Sequence, residues 1–454
     1  MSDNNKVSGL TSKQRGKLYK YRILVFFGIF FLLFFISLII PLRPKVSEIE
    51  KRELAKFPSF SFESLFSGEF FDDVDLWFSD TFPFREIFIN GNNSLKQLYG
   101  VHTMSIHGDV EQGDEIPDTP SVPAELTEPQ EKESSTAPEE STTEEPATAV
   151  NPYENVTTET IGALLCAGDS GFEYYNFNRK VADRYIAMVN QVTSQLEGKA
   201  TVYNMIIPTS MDIILPESKR AGLNTDDQKK AIQYFYGSMS SKTKTVDVFE
   251  NLLSHNSEYI YFRTDHHWTA LGAYYAYEEF TKVKGITTIP LSDYETKEFD
   301  GFLGTFYADS DKNPNLGKNP DTVIAYVPKD TNEMKYTDKK GNVINGKIIN
   351  NVTTWNQNSK YLTFIDGDNP YSIIENPNLN DGSSIVVVKE SFGNAMIPFL
   401  VGHYQTIHVI DYRYWKGNLS SFVTENNVND VLFINNISAT RSSSLVGYME
   451  KIAK

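Results

Sequence analysis

The chain has 454 residues, of which 40% are hydrophobic and 22% are charged, and its formal net charge at pH 7 is -17. This length allows two or three domains and a full hydrophobic core. The strong negative charge argues against nucleic acid as a partner. The single cysteine, Cys166, excludes an intrachain disulfide.

The first 42 residues have the pattern of a membrane anchor. Residues 1–22 form a polar, basic tail, and residues 23–40 are apolar apart from Gly28 and Ser37. An apolar run of ~18 residues matches one membrane-spanning helix. Because no small-x-small cleavage site follows, we predict an uncleaved transmembrane anchor at residues 23–42. The basic cluster before it predicts a single-pass cell-membrane protein with a cytoplasmic N-terminus and an extracellular main domain.

Two segments of contrasting composition precede the main domain. Residues 43–110 are aromatic and contain the string from Asp80 to Arg85, DTFPFR, so we predict a juxtamembrane segment that packs onto the ectodomain. Residues 111–151 consist mainly of Pro, Glu, Ser and Thr. Such a segment buries too little apolar surface to offset its ordering entropy, which predicts a disordered acidic loop.

From about residue 156, short strands and helices alternate. Apolar runs predict strands at 161–166, 200–207, 245–249, 384–388, 406–410 and 431–434, and helical spacing predicts helices at 181–196, 226–239 and 269–284. This alternation predicts an α/β domain at residues 152–454 with an open parallel sheet flanked by helices. Residues 290–380 are rich in Asn, Asp, Gly and Pro, which predicts an inserted β-rich lobe.

Two of the seven histidines lie together in Asp265-His266-His267-Trp268, directly before a helix that Thr269 can cap. Asp265 and His267 are two residues apart, so in an extended or turn segment the carboxylate can orient the imidazole. A metal site is the alternative, because Asp and His are both ligands. Manganese phosphoesterases with an Asp-His-His string also need Asp-rich clusters upstream, and the sequence has none at a strand end. His266 is expected to pack or cap.

The predicted nucleophile is Ser391, which follows the apolar strand 384–388 at the start of a helix. Ligands collect at the carboxyl ends of parallel strands, and N–H groups at a helix start can hold an oxyanion. Serine is also a common N-cap, so the assignment depends on its combination with Asp265 and His267. A second candidate, Ser170, follows Gly168 and Asp169, as the catalytic serine does in SGNH hydrolases. Because no Asp-x-x-His pair lies downstream, Ser170 is interpreted as a turn residue.

Four further residues are candidates for contacts with the substrate or an oxyanion. Asn394 could donate to the oxyanion or cap the helix. Arg413 could bind an anionic sugar or form a salt bridge with Asp411. Trp268 could stack on a sugar or pack in the core, and Arg263 lies near the Asp-His pair in the sequence.

The string from Asp265 to Trp268 resembles the signature of the DHHW family, relatives of the alginate O-acetylation proteins with an SGNH-hydrolase-like fold. The resemblance extends to the N-terminal anchor and to the segments Asp80 to Arg85, Lys389 to Asn394 and Asp411 to Tyr414. In that family the Asp-x-His pair precedes the serine, which is the order found here.

The resemblance implies that Ser391 is the nucleophile, His267 the general base and Asp265 its orienting carboxylate. Glu390 departs from the family pattern, in which an aspartate commonly precedes the serine.

The resemblance also implies a function. The chain would be a membrane-anchored, extracytoplasmic O-acetyltransferase that moves acetyl from an activated donor to hydroxyls of a cell-surface or secreted polysaccharide. No cofactor and no metal are expected. Because acetyl-CoA is cytoplasmic, a multi-span membrane-bound O-acyltransferase would pass the acetyl group across. The alternatives are a polysaccharide deacetylase or esterase, in which water is the acceptor, and a non-catalytic polysaccharide-binding subunit of an export complex.

Overall fold

The computed structural model describes residues 151–454 without a break, together with residues 113–117 and scattered residues between 26 and 82. The chain divides into two units, Met1–Thr103 and Met104–Lys454.

Most of the predicted N-terminal segments fall outside the described residues. This holds for the basic tail 1–22, for the span 23–42 apart from Phe26 and Gly28, and for nearly all of the acidic loop. Within the described part of the chain, no helix has the length and apolar character needed to cross a membrane. In the first unit, the Phe57 ring meets the ring of Trp77 edge to face at 4.8 Å. The packing of residues 43–110 onto the ectodomain stays a prediction.

The described residues contain fifteen strands. In chain order they are β1 (Val46–Ser47), β2 (Arg52–Glu53), β3 (Thr158–Ile161), β4 (Leu164–Ala167), β5 (Ser170–Glu173), β6 (Thr201–Ile207), β7 (Lys244–Val246), β8 (Glu295–Phe302), β9 (Asp321–Val327), β10 (Glu333–Thr337), β11 (Val343–Lys347), β12 (Tyr371–Glu375), β13 (Ser384–Lys389), β14 (Thr406–Asp411) and β15 (Asp430–Asn436).

The α-helices of residues 151–454 are α1 (Arg179–Gln195), α2 (Ser210–Ile213), α3 (Glu217–Arg220), α4 (Gln228–Ser238), α5 (Phe249–Ser254), α6 (Ala270–Lys284), α7 (Thr305–Asp309), α8 (Ile397–Leu400), α9 (Leu419–Glu425), α10 (Ile437–Arg441) and α11 (Ser443–Ala453). Short 3₁₀ segments cover Leu291–Asp293, Leu316–Lys318, Gln357–Thr363, Ser391–Ala395 and Val401–His403.

An eight-stranded sheet in the order β11-β10-β12-β14-β13-β15-β6-β7 forms the centre of the second unit. Strands β14, β13, β15, β6 and β7 are parallel, whereas β12, β10 and β11 pair antiparallel at one edge. The prediction of an α/β domain is confirmed, but the prediction that its sheet is wholly parallel was wrong. A tight hairpin at residues 338–342 joins β10 to β11, and such a short connection permits only antiparallel pairing.

The segment 290–380, predicted as one inserted lobe, is divided between two sheets. Strands β8 and β9 form a separate antiparallel pair, while β10, β11 and β12 extend the main sheet. The run 161–166, predicted as one strand, is a hairpin instead. Gly162 has a φ of 59°, a left-handed conformation that favours glycine and turns the chain between β3 and β4.

The central strands of the sheet are covered on both faces. Every residue of β13 and of β15 is buried, as expected for parallel strands between two helical layers. Helices α1, α10 and α11 pack together, and Arg184 of α1 forms a 2.7 Å ion pair with Glu450 of α11. Because these strands are parallel neighbours, the carboxyl ends of β13, β14 and β15 lie side by side at one edge of the domain.

Candidate active site

Three predicted side chains form one hydrogen-bonded chain. Ser391 Oγ lies 2.7 Å from His267 Nε2, and His267 Nδ1 lies 2.5 Å from Asp265 Oδ1. Asp265 and His267 are buried. Because an ionised carboxylate only accepts, Nδ1 donates to Asp265, which leaves Nε2 to accept the serine proton. The structure thus brings together residues that are far apart in the sequence.

Two local structures position these side chains. Ser391 follows β13 and opens the 3₁₀ segment Ser391–Ala395. The Asp-His pair lies in a loop closed by a bridge between Tyr261 and Trp268, and Thr269 caps α6 through the N–H of Gly272. The pair therefore lies directly before the first turn of a long helix.

Two hydrogen bonds fix the serine turn relative to the histidine loop. Trp268 Nε1 donates to the carbonyl of Phe392 at 2.9 Å, and the Tyr361 hydroxyl donates to the carbonyl of Ser391 at 3.0 Å. The Tyr361 ring also stacks on His267 with centroids 4.0 Å apart. The imidazole is therefore fixed in plane and in position.

Asp265 is held as an ionised carboxylate. Its Oδ2 accepts from the backbone N–H of Thr305 at 2.8 Å and from the Thr305 hydroxyl at 3.1 Å. Burial alone would raise the pKa of Asp265, but the His267 and His266 rings and these hydrogen bonds outweigh it and hold the pKa well below its usual range. Gly304 is required beside it, because a Cβ there would lie 2.2 Å from Asp265 Oδ2.

Glu390 connects the serine turn to the end of β15. Its carboxylate accepts from the N–H groups of Phe392 at 3.0 Å and Asn436 at 2.9 Å, and its Oε2 lies 3.2 Å from Ser391 Oγ. Burial raises the pKa of Glu390. The longer side chain at this position thus caps the serine turn and the strand end together.

A cavity of about 460 Å³, which we name the Ser391 cavity, opens beside the serine. Its lining includes the apolar ring of Phe306. Polar side chains also line it, among them Ser391, His266, Arg413, Asn436 and Arg441. A pocket of this size accommodates a small-molecule ligand.

Sequence reasoning did not select Asn436. The residue ends β15, the strand next to β13, and is 5% exposed. Its side-chain oxygen accepts from Ser438 N–H at 2.8 Å, whereas its Nδ2 is buried and has no hydrogen-bond partner within the described chain. An unpaired buried amide donor beside the Ser391 cavity is suited to bind an oxyanion. The pair Asn435-Asn436, which follows the apolar run 431–434 at the edge that Ser391 occupies, was the available signal.

The structure corrects two of the four candidate contact residues. Trp268 is 0% exposed and offers no face to a sugar, because it packs in the core. Arg263 is paired with Asp321 at 3.1 Å and lines a smaller cavity of about 190 Å³ beside Ser170.

The other two candidates belong to a partly buried ionic network next to the serine turn. Asn394 Nδ2 donates to Asp368 at 3.0 Å, and Arg413 forms ion pairs with Asp368 at 2.9 Å and Asp411 at 2.7 Å. Lys389 adds contacts of 3.3 Å to Asp368 and 3.1 Å to Asp411. Arg413 lines the Ser391 cavity, but its guanidinium is committed to these carboxylates.

Ser170 differs from Ser391 in its surroundings. It lies buried in β5, and its hydroxyl lies 2.9 Å from the Tyr153 hydroxyl and 3.3 Å from Asp169 Oδ1. No histidine hydrogen-bonds to it among the residues that the structure describes. It therefore lacks a histidine to act as its general base.

Comparison with known proteins identifies the family. The model of the family described as DHHW protein matches residues 50–130 and 125–410. The chain belongs to the DHHW family. Comparison with curated protein sequences gives no match.

Solved structures similar to this DHHW protein share its fold. The crystal structure of a DHHW family protein from Eubacterium siraeum has a TM-score of 0.60 and 27% identity, covering 66% of this chain and 99% of that one. Bacillus cereus PatB1 with a sulfonyl adduct has a TM-score of 0.53 and 21% identity, covering 66% and 99%. The O-acetyltransferase domain of Pseudomonas putida AlgJ, at a TM-score of 0.32 and 12% identity over 63% and 96%, is too weakly similar to support an inference.

A metal ion is the alternative use of the histidine loop of this DHHW protein. Potential ligand atoms of Asp265, His266 and His267 lie within 4.8 Å of one another. Most of these atoms already have hydrogen-bond partners, since His267 bonds to Asp265 and Ser391, and His266 Nδ1 lies 2.6 Å from Thr305 Oγ1. A metal at this point would have to break these bonds, so the donor set fits a proton-transfer chain better.

The ionic network predicts acid sensitivity of this fold. Burial alone would raise the pKa of Asp368, but Arg413 and Lys389 outweigh it and hold the pKa well below 3.8. A carboxyl with a depressed folded-state pKa gives stability that is present above its unfolded pKa and lost as the pH falls. We expect the free energy of unfolding, measured in urea, to decrease between about pH 5 and pH 3. In the Asp368→Asn variant this free energy should decrease less steeply over the same pH range. Equal slopes for both proteins would contradict this.

Proposed function

We propose that this DHHW protein is a serine-dependent O-acetyltransferase that acetylates hydroxyls of a cell-surface or exported polysaccharide. The observation that carries the proposal is the hydrogen-bonded chain from Ser391 through His267 to Asp265, which opens on the Ser391 cavity. Membership of the DHHW family supports it.

The reaction has two steps at Ser391. First, His267 Nε2 takes the proton of Ser391 Oγ while Oγ attacks the acetyl carbonyl of the donor, and the leaving group departs with that proton. Acetyl-Ser391 remains. Second, an acceptor hydroxyl gives its proton to His267 and attacks the acetyl carbonyl, and Ser391 regains the proton as the ester leaves. Asp265 stabilises the imidazolium that forms in each step.

Asn436 Nδ2 would donate to the oxyanion that develops in both steps. We expect Asn436→Ala to lower kcat for acetyl transfer by about 10²–10³-fold, the usual effect of removing one oxyanion donor. The measurement is the burst and turnover with an activated aryl acetate. Ser442→Ala removes a hydroxyl that lines the same cavity but is already hydrogen-bonded to Leu445 N–H and to Ser444, so it is the matched control and should change kcat by only a few-fold. Comparable rates for wild type and Asn436→Ala would contradict the assignment.

We also propose the surroundings of the reaction. Residues 23–42 anchor the chain, the catalytic domain lies outside the cell membrane, and a multi-span O-acyltransferase supplies the acetyl group. These proposals rest on the apolar run, on the basic residues before it and on the family resemblance.

The deciding experiment is a partition assay. The full-length protein is acetylated with an activated aryl acetate, and the acetyl group is followed into chito-, cello- and mannuronate oligosaccharides or into water. Ester formed on a saccharide supports the transferase. Hydrolysis alone, unaffected by all acceptors, would replace it with an esterase. A chain that takes up no acetyl group and binds the saccharides would be a non-catalytic binding subunit.

A further inference from the structure

His266 lies in the Ser391 cavity but has no part in the steps described above. Its ring lies next to that of His267, with centroids 3.9 Å apart and planes inclined by 35°. Its side chain is 31% exposed and lines the cavity. A packing or capping role, as expected from the sequence, does not explain why a polar ring edge lies at the reaction centre.

A short hydrogen-bond chain determines which nitrogen of His266 carries the proton. The Thr305 hydroxyl donates its one hydrogen to Asp265 Oδ2 at 3.1 Å, because the ionised carboxylate only accepts. Thr305 Oγ1 can then only accept from His266 Nδ1, which lies 2.6 Å away. We therefore assign the proton of the ring to Nδ1 and the lone pair to Nε2.

The environment disfavours protonation of this ring. Burial and the neighbouring His267 ring lower the pKa of His266, although the carboxylates of Asp265, Glu173 and Glu390 oppose them. No hydrogen bond to His266 Nε2 is found in the described part of the chain. The lone pair on Nε2 is thus a hydrogen-bond acceptor offered to whatever occupies the cavity.

One carboxylate consequently orients two imidazoles. Asp265 Oδ1 holds His267, and Asp265 Oδ2 holds His266 through Thr305. Once Ser391 carries an acetyl group, His267 Nε2 loses its serine partner and can accept from an acceptor hydroxyl. Two neighbouring lone pairs are then available at the reaction centre, and both can accept from hydroxyl groups.

We propose that His266 is the residue that selects acceptors with adjacent hydroxyls. One hydroxyl of a vicinal diol donates to His267 and attacks the acetyl group, and its neighbour donates to His266 Nε2. The substrate class is therefore a glycan or polyol with a free 1,2-diol. This inference rests on the proposed function.

Small alcohols test the inference without a glycan-specific contact. Acetyl-enzyme formed from an activated aryl acetate is partitioned between water and either 1,2-propanediol or 1-propanol. We expect wild type to favour the diol by about 5-fold, the factor that one added hydrogen bond supplies. His266→Asn retains an N–H for Thr305 but has no acceptor in place of Nε2, so the preference should fall to near unity. His266→Gln, whose side-chain oxygen can replace Nε2, should recover part of it.

The outcomes are separable. His255→Asn makes the same exchange at a histidine that pairs with Glu258 outside the cavity, and it should keep the diol preference. An unchanged preference in His266→Asn overturns the inference while leaving the transferase in place. Equal losses of acetyl-enzyme formation and of transfer to both alcohols would also overturn it, since they indicate a purely structural role. Failure of wild type to form an acetyl-enzyme removes the proposed function itself, and the inference with it.

Discussion

Ser391→Ala is expected to abolish the acetyl adduct on the protein and to lower turnover of an activated aryl acetate by about 10⁴-fold or more. The reason is that Ser391 Oγ is the hydroxyl hydrogen-bonded to His267 Nε2, at 2.7 Å. Loss of the nucleophile leaves only oxyanion stabilisation and binding. Intact mass after reaction with the aryl acetate provides the measurement, since one acetyl group is added to wild type and none to the variant.

Ser170→Ala is the matched control for this experiment. Ser170 also follows an acidic residue directly, but its hydroxyl bonds to Tyr153 and has no histidine partner within residues 151–454. The Ser170 variant should therefore acetylate like wild type. An acetyl adduct that persists in Ser391→Ala and disappears in Ser170→Ala would reverse the assignment of the nucleophile.

Asp411→Ala is expected to lower the free energy of unfolding by about 3–5 kcal/mol, the usual cost of breaking a buried ion pair from one side. Asp411 is fully buried and pairs with both Lys389 and Arg413. Its removal leaves only Asp368 to balance two cations, one of which is almost completely buried. Urea denaturation followed by circular dichroism measures the change.

Two further variants determine whether the unpaired charge causes this loss of stability. Asp381→Ala removes an exposed carboxylate that bonds to Ser383, and it should cost about 1 kcal/mol or less. Combining Asp411→Ala with Lys389→Met removes one of the two unbalanced cations, so the double variant should be more stable than the sum of the single effects predicts. Additive losses would show that packing around Asp411, and not its charge, supports the fold.

Local sequence patterns were sufficient to predict the class of the fold and three site residues. The apolar runs at 200–207, 384–388, 406–410 and 431–434 all became strands of the central sheet. They were predictable because burial on both faces requires nearly continuous apolar residues. Asp265, His267 and Ser391 could be proposed because an Asp-x-His pair before a capped helix and a serine after a buried strand are local signals.

The sheet's antiparallel edge and the partners of the site depended on contacts between distant residues. Trp268 could stack or pack by its sequence, and its complete burial, together with its hydrogen bond to Phe392, decides for packing. Arg413 could bind a sugar by its sequence, and its ion pairs with Asp368 and Asp411 decide otherwise.

The sequence by itself determined the α/β alternation, the serine turn and the Asp-His pair, because each depends on neighbours within a few residues. The tertiary structure alone decided that Asn436 has an unpaired amide beside the serine and that Thr305 joins His266 to Asp265. These contacts join residues some 40 or more positions apart. No local propensity encodes them, since they form only when distant segments of the chain pack together in the folded domain.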